Sequence, residues 1–417
     1  MARILPDFTP LRASRGFRLL LGGQVISFTG SSLRQVAIIY QVYVLTQSTF
    51  AVGLLGLVSA VPLMALSLWG GVIADRFDRR RLLLVTNACL GIVSVVLALA
   101  TQAEVATLPL LYALTAVGSA FTALDQPARS ALMPSLFERR LIPAAIALRQ
   151  TYVQVASVVG PAIAGVILAR FGIAVAYWID AATFSIAFVT VLAMNVPRSE
   201  EVVVHAAPLR ALAEGLAFLW SRPLILATMT VDFFATFFAV SRAVMPYFAD
   251  QVFHVGPEGL GLLFAAPAVG ASIVAITSGW TTRVERKGLG VLVAVTIFGI
   301  SIAAFGLLPG NAFVLGLVLL AISDGADAAS AIFRHTIILL ETPDELRGRL
   351  TAINLVFVSG GPQLGDAESG TVAALWSPEA AVVTGGVACL GVVLVARALV
   401  PEIVRYRADL ELAPAST

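Results

Sequence analysis

The sequence predicts an all-α membrane protein, with twelve transmembrane helices arranged as two pseudo-symmetric six-helix bundles. Three observations carry this. Hydrophobic residues make up 59% of the 417 and charged residues only 12%, about half of the roughly 25% expected of a soluble domain. The apolar residues gather into repeated runs of about 20, the length that crosses a bilayer core. Basic residues crowd into alternate breaks between those runs, as they do on the cytoplasmic side of membrane proteins.

Taken in order, the chain opens on Arg3, Pro6, Asp7 and Pro10 with no small-residue cleavage site. The first apolar run, 17–44, therefore reads as a retained span rather than a signal peptide. Spans follow at 51–74, 82–101, 106–128, 148–169 and 174–195, then at 224–249, 259–281, 290–308, 312–336, 350–372 and 380–399. The breaks are short and carry turn residues, such as Pro309-Gly310-Asn311 and Ser377-Pro378-Glu379. The longest polar connection divides the chain into an N-terminal bundle (1–196), a linker (197–223) and a C-terminal bundle with its tail (224–417). Within the linker Leu209, Leu212, Leu216 and Leu219 recur at helical spacing opposite Arg210 and Glu214. That pattern predicts an amphipathic helix on the membrane surface.

With both termini in the cytoplasm, all but three of the 27 Lys and Arg residues fall in inner segments. This count takes Arg334 as one of the inner-loop charges, and it leaves Arg34, Arg170 and Arg242 elsewhere. The predicted topology is therefore a multi-pass protein of the cell membrane with cytoplasmic termini.

Between spans two and three lies Gly70-Gly71-Val72-Ile73-Ala74-Asp75-Arg76-Phe77-Asp78-Arg79-Arg80-Arg81. A degraded copy, Gly279-Trp280-Thr281-Thr282-Arg283-Val284-Glu285-Arg286-Lys287, follows span eight, with Arg283 standing where Asp75 would be. Two six-span halves sharing such a loop are the pattern of a duplicated secondary transporter. The run Gly71-x-x-x-Asp75-Arg76-x-x-Arg79-Arg80 resembles the loop signature of the major facilitator superfamily, except that Asp78 stands where that signature usually has glycine. Gly160-Pro161-Ala162-Ile163-Ala164-Gly165 resembles a motif common in its exporters. Further stretches resemble the enterobactin-exporter and macrolide-type drug-efflux branch: Arg242-x-x-x-Pro246-x-x-x-Asp250, Thr342-Pro343-Asp344-Glu345-Leu346-Arg347-Gly348-Arg349 and Gly365-Asp366. The resemblance implies a proton-driven exporter of a siderophore-like molecule or an amphipathic drug. It also implies a conformational latch at Gly71, Asp75, Arg76, Arg79 and Arg80.

Ionisable residues inside spans are costly and mark function by default. Arg34 lies in span one; Asp232 and Arg242 share span seven, about 15 Å apart along its axis, so their partners must come from other helices. With Phe233 and Phe237 they are the expected lining of a substrate cavity, and the two arginines suit an anionic or polyphenolic ligand. Asp324 and Asp327 are three apart on span ten and share a face. Two carboxylates that close cannot both ionise cheaply away from water, so these two, with Asp366 on span eleven, are the candidates for proton coupling. Asp180 reads as a solvated acid at the outer interface, and Asp125 as a partner for Arg129 one turn on. Gly160, Pro161 and Gly165 in span five, and Gly361, Pro362 and Gly365 in span eleven, are expected to permit close packing and kinks.

Other classes lack residues. His205, His254 and His335 are scattered, no nucleophile has a local base, and no Walker-type loop is present, so neither an enzyme nor direct use of ATP is expected. Cys89 and Cys389 sit in apolar runs without a metal-ligand pattern, and no basic face suits nucleic acid. A membrane receptor on the same scaffold would need a sensing domain that the short loops do not supply. The expected partners are the bilayer and a small molecule, the energy source is the proton motive force with no cofactor or metal, and the expected state is a monomer.

Overall fold

The computed structural model describes residues 8–136, 139–194, 208–239 and 242–407. The side chains at 67–76, 131, 134, 135, 139, 208–213, 239, 344, 352 and 355 lie outside that description. A short helix, Thr9–Ala13, precedes α1 (Arg15–Thr46), α2 (Thr49–Arg76), α3 (Arg79–Gln102), α4 (Leu108–Leu132), α5 (Ile142–Phe171) and α6 (Ile173–Leu192). The linker helix α7 (Pro208–Ser221) leads to α8 (Pro223–Ala239), α9 (Gly256–Thr277), α10 (Lys287–Gly306), α11 (Phe313–Glu341), α12 (Asp344–Leu375) and α13 (Pro378–Leu399). Among the described residues nine of these helices are by themselves long and apolar enough to cross a membrane. The others are α1 and α12, which carry more polar side chains, the linker helix α7, and α8, whose described part is 17 residues long.

Local chemistry sets the ends. Ser14 accepts the Phe17 N–H and starts α1. Asp78 accepts the Arg81 N–H at 2.8 Å and caps α3, so the acid that departs from the family loop pattern has a capping role. Ser377 does the same for α13. Gln47, at φ 48°, closes α1 in the left-handed region. Span seven is discontinuous: α8 ends at Ala239, a turn covers Arg242–Val244, and a short helix, Met245–Tyr247, runs into a π-helical turn at Phe248–Val252.

The chain forms two units, one of Met1–Gln47, Leu57–Val204 and Val255–Ala265, the other of Ser48–Gly56, His205–His254 and Ala266–Thr417. In the first, α6 packs on α1 and α3, α4 on α3, and α5 on α1. Its apolar core includes Leu20, Leu83, Leu132 and Val191, with Phe17, Leu21, Ala145 and Leu148 in a neighbouring cluster. A Cβ at Gly160 would strike Ser32 of α1, and one at Gly165 would strike the Cα of Gly261, so these small residues set helix approach. In the second unit α10 packs on α11 and α13, and α12 on α8. A Cβ at Gly361 would meet the Phe233 carbonyl, and one at Gly365 those of Thr236 and Phe237.

The linker helix α7 lies at 101° to α8. It is also docked: Glu214 pairs with Arg349 of α12 at 2.5 Å, and Leu219 is buried with Ile225, Met229, Ile338, Leu350 and Ile353. Trp220 is 72% exposed beside it, as suits an interfacial anchor. Leu209 and Leu212 lie outside the described side chains.

Replacing Gly365 by leucine should force α8 and α12 apart, at a cost of roughly 1–3 kcal/mol for overpacking. The expected result is a clear fall in the melting temperature of the detergent-solubilised protein. An unchanged melting temperature would show that the two helices have slack there.

Candidate functional site

The charged residues inside the first unit form a buried network. Arg34 of α1 meets Asp180 of α6 through Nε at 3.1 Å, and Ser94 of α3 donates to the same carboxylate oxygen at 2.5 Å. Tyr177, one turn before Asp180, donates to Gln41 at 2.8 Å, and Gln41 donates to Thr101 at 2.9 Å. Asp180 has no exposed surface. This corrects the expectation of a solvated interfacial acid: a carboxylate so placed needs the guanidinium, and the two lock α1 to α6. Asp125 accepts from Arg129 and from Thr86 of α3, so that pair too is buried within the unit.

In the second unit the organising residue is one that sequence reading placed in a loop. Arg334, 7% exposed, sits inside the bundle on α11. Its Nη2 lies 2.6 Å from Asp232 of α8 and 3.5 Å from Asp327, two turns earlier on α11. Ser330 accepts from its Nη1 at 2.7 Å. Two carboxylates therefore share one guanidinium. They line a cavity of about 150 Å³ with Thr236, His335, Asn354 and Pro362, closed on its apolar side by Ala331, Ile338 and Val358. The spacing of Asp327 and Arg334, seven residues or two helical turns, was the available signal for the pair.

Arg242 belongs to a second carboxylate. Asp366 of α12 accepts its backbone N–H at 3.0 Å and faces its guanidinium at 3.2 Å. The acid thus caps the turn where span seven breaks, satisfying a donor that the interrupted helix leaves free. Asp324 stands within electrostatic reach of both Arg242 and Asp327. Asp366 with Arg242, and Asp327 with Arg334 and Asp232, thus form two ion-pair clusters, and Asp324 lies on α11 one turn before Asp327. Phe233 and Phe237 stack on each other, and Phe233 meets Phe357 of α12 edge-on at 5.8 Å. They pack in the α8–α12 contact rather than among the cavity residues.

Other predicted site residues are placed as follows. Pro161 and Pro362 lie inside α5 and α12. Gly71, Asp75 and Arg76 lie on α2 with side chains outside the described residues. Arg80 donates to the carbonyls of Val191 and Leu192 at 3.2 and 2.6 Å, closing the end of α6. Arg79 starts α3. Cys389 donates to the Ala235 carbonyl at 3.2 Å. Among the described residues no three His, Cys, Asp or Glu side chains converge as metal ligands would.

Comparison with known proteins agrees with this architecture. The family model described as transmembrane secretion effector matches residues 6–411. The chain is 29% identical to the enterobactin exporter EntS of Citrobacter koseri over 404 residues, 97% of this chain and 96% of that protein. The same identity and coverage are found with EntS of Shigella boydii. Among solved structures, a variant of the nucleoside transporter NupG superposes with a TM-score of 0.74 at 12% identity, over 92% of this chain and 99% of that one.

Arg334→Gln should leave the buried Asp232 without its cation, a loss of about 3–5 kcal/mol. Combining it with Asp232→Asn should restore part of that stability. Thermal unfolding of the two single variants and the double variant measures the coupling; additive losses would mean that the pair does not act as a unit.

Proposed function

The chain belongs to the transmembrane secretion effector family of the major facilitator superfamily, and on that premise we propose that it exports a small molecule by alternating access in exchange for protons. The observation that carries the reading is the sharing of Arg334 by Asp232 and Asp327 at the cavity. With both acids ionised the cluster bears one net negative charge, and one proton brings it to neutrality. A proton on Asp327 leaves Arg334 and Asp232 as a neutral pair. A proton on Asp232 leaves Arg334 to Asp327, both on α11, and loosens the tie between α11 and α8. A group that exchanges one proton while changing which helix holds the arginine can couple protonation to helix movement.

The EntS relatives are named as enterobactin exporters. For this chain the proposed cargo is siderophore-like or an amphipathic drug. Arg34 and Arg242 do not by themselves argue for an anion, because each is already held by a carboxylate. The proposed energy source is the proton motive force, without ATP, and the proposed working form is a monomer with cytoplasmic termini, as the arginine bias supports. The loop bearing Asp75 is assigned the latch.

Efflux from a strain lacking the chain, re-expressing it against a panel of siderophores, macrolides and dyes, should identify a substrate whose export stops when a protonophore is added. Export that survives the protonophore would contradict proton coupling. With that substrate, Asp327→Asn should flatten the pH dependence of efflux; a wild-type pH profile would remove this residue from the coupling. Asp75→Asn should cut flux by an order of magnitude or more, about 1.4 kcal/mol on the rate-limiting step, while the protein still inserts. Wild-type flux in vesicles would dismiss the latch.

A further inference from the structure

In the first unit the balance of charge is reversed. Arg129 on α4, 4% exposed, gives Nε to Asp125 and Nη2 to Asn87 of α3 at 3.1 Å, while its Nη1 is buried with no hydrogen-bond partner. Asp125 is already engaged by Arg129 and Thr86. Arg149, half-buried on α5, stands within electrostatic reach of Arg129. Its own contacts are long and neutral: Nε to the Gln24 amide oxygen of α1 at 3.4 Å and Nη2 to that of Gln126 on α4 at 3.3 Å. No carboxylate pairs with it among the described residues. Among the described residues two guanidiniums thus share one acid, and one cation has no carboxylate partner.

A charge so placed is expensive unless an opposite charge joins it. A guanidinium presents a planar fork of donors that matches a carboxylate or phosphate group. Gln24 and Gln126 flank the fork, and their amides can turn N–H toward an acceptor, since the two ends of an amide are interchangeable in shape. We propose that Arg149, with the free Nη1 of Arg129 and the amides of Gln24 and Gln126, forms a binding site for one oxyanion group, carried by a transported molecule or by a lipid headgroup. The site lies wholly within the first unit and does not depend on proton coupling in the second.

The test uses the full chain purified in a neutral maltoside detergent, with benzoate, inorganic phosphate and benzylamine as probes followed by thermal unfolding. Benzoate or phosphate should raise the melting temperature saturably, with a dissociation constant near or below about 1 mM, and benzylamine should not. Arg149→Gln should weaken the effect at least tenfold. Arg149→Lys, which keeps the charge and loses the fork, should retain part of it and serves as the folded reference if the glutamine variant does not fold. Repeating the titration in nanodiscs separates the sources. Loss of benzoate binding in phosphatidylglycerol but not in phosphatidylcholine assigns the site to a headgroup, and equal binding in both assigns it to a soluble or transported anion. No saturable response to either anion in the wild type, or an equal response in Arg149→Gln and the wild type, would overturn the proposal.

Discussion

The structure depends on one constraint: a charge within a helical bundle must find an opposite charge on another helix. The chain places acids and arginines in the middle of otherwise apolar runs, and three such pairs join helices that are distant in sequence. Arg34 holds α1 to Asp180 of α6, Arg334 holds α11 to Asp232 of α8, and Asp366 holds α12 to the break in span seven. Lipid-facing apolar residues cannot supply that specificity, because lipid solvates leucine as well as a neighbouring helix does. Small residues complete the arrangement by letting backbones touch where Gly361 and Gly365 meet α8.

The pairings are unequal in the two units, and the inequality bears on function. In the second unit Asp232, Asp324, Asp327 and Asp366 outnumber Arg242 and Arg334, so the cluster is neutral only when it has taken up protons. In the first unit Arg34 and Arg129 are matched by Asp180 and Asp125, and among the described residues Arg149 has no carboxylate partner. On the proposed reading, one unit carries the proton and the other receives an anion. A cavity lies beside the shared arginine and is lined by both acids.

Much of this was legible in the sequence. The apolar runs, their short breaks and the loop signature led to the all-helical membrane fold and to the family that the comparison with known proteins shows. Depth was not legible. Asp180 and Arg334 lie near the ends of their apolar runs, where hydropathy assigns charges to the surface; the bundle instead buries both, against partners 146 and 102 residues away (180 − 34 and 334 − 232). Hydropathy reads each run alone and cannot register such a partner. The break in span seven was hidden for a related reason, since 224–249 carries no turn signal near Arg242 that ends an apolar run and the acid that caps its turn comes from α12. The linker helix showed its amphipathic pattern, but its docking through Glu214 and Arg349 is a tertiary fact.

The central claim is that the carboxylates sharing Arg334 bind and release a proton. Infrared difference spectroscopy of the purified protein, stepped in pH, observes that proton directly through the carbonyl stretch of a protonated carboxyl. The account predicts a titrating band in the wild type that disappears or shifts in Asp327→Asn while the protein stays folded. The same band, at the same pH and intensity in both proteins, would contradict it.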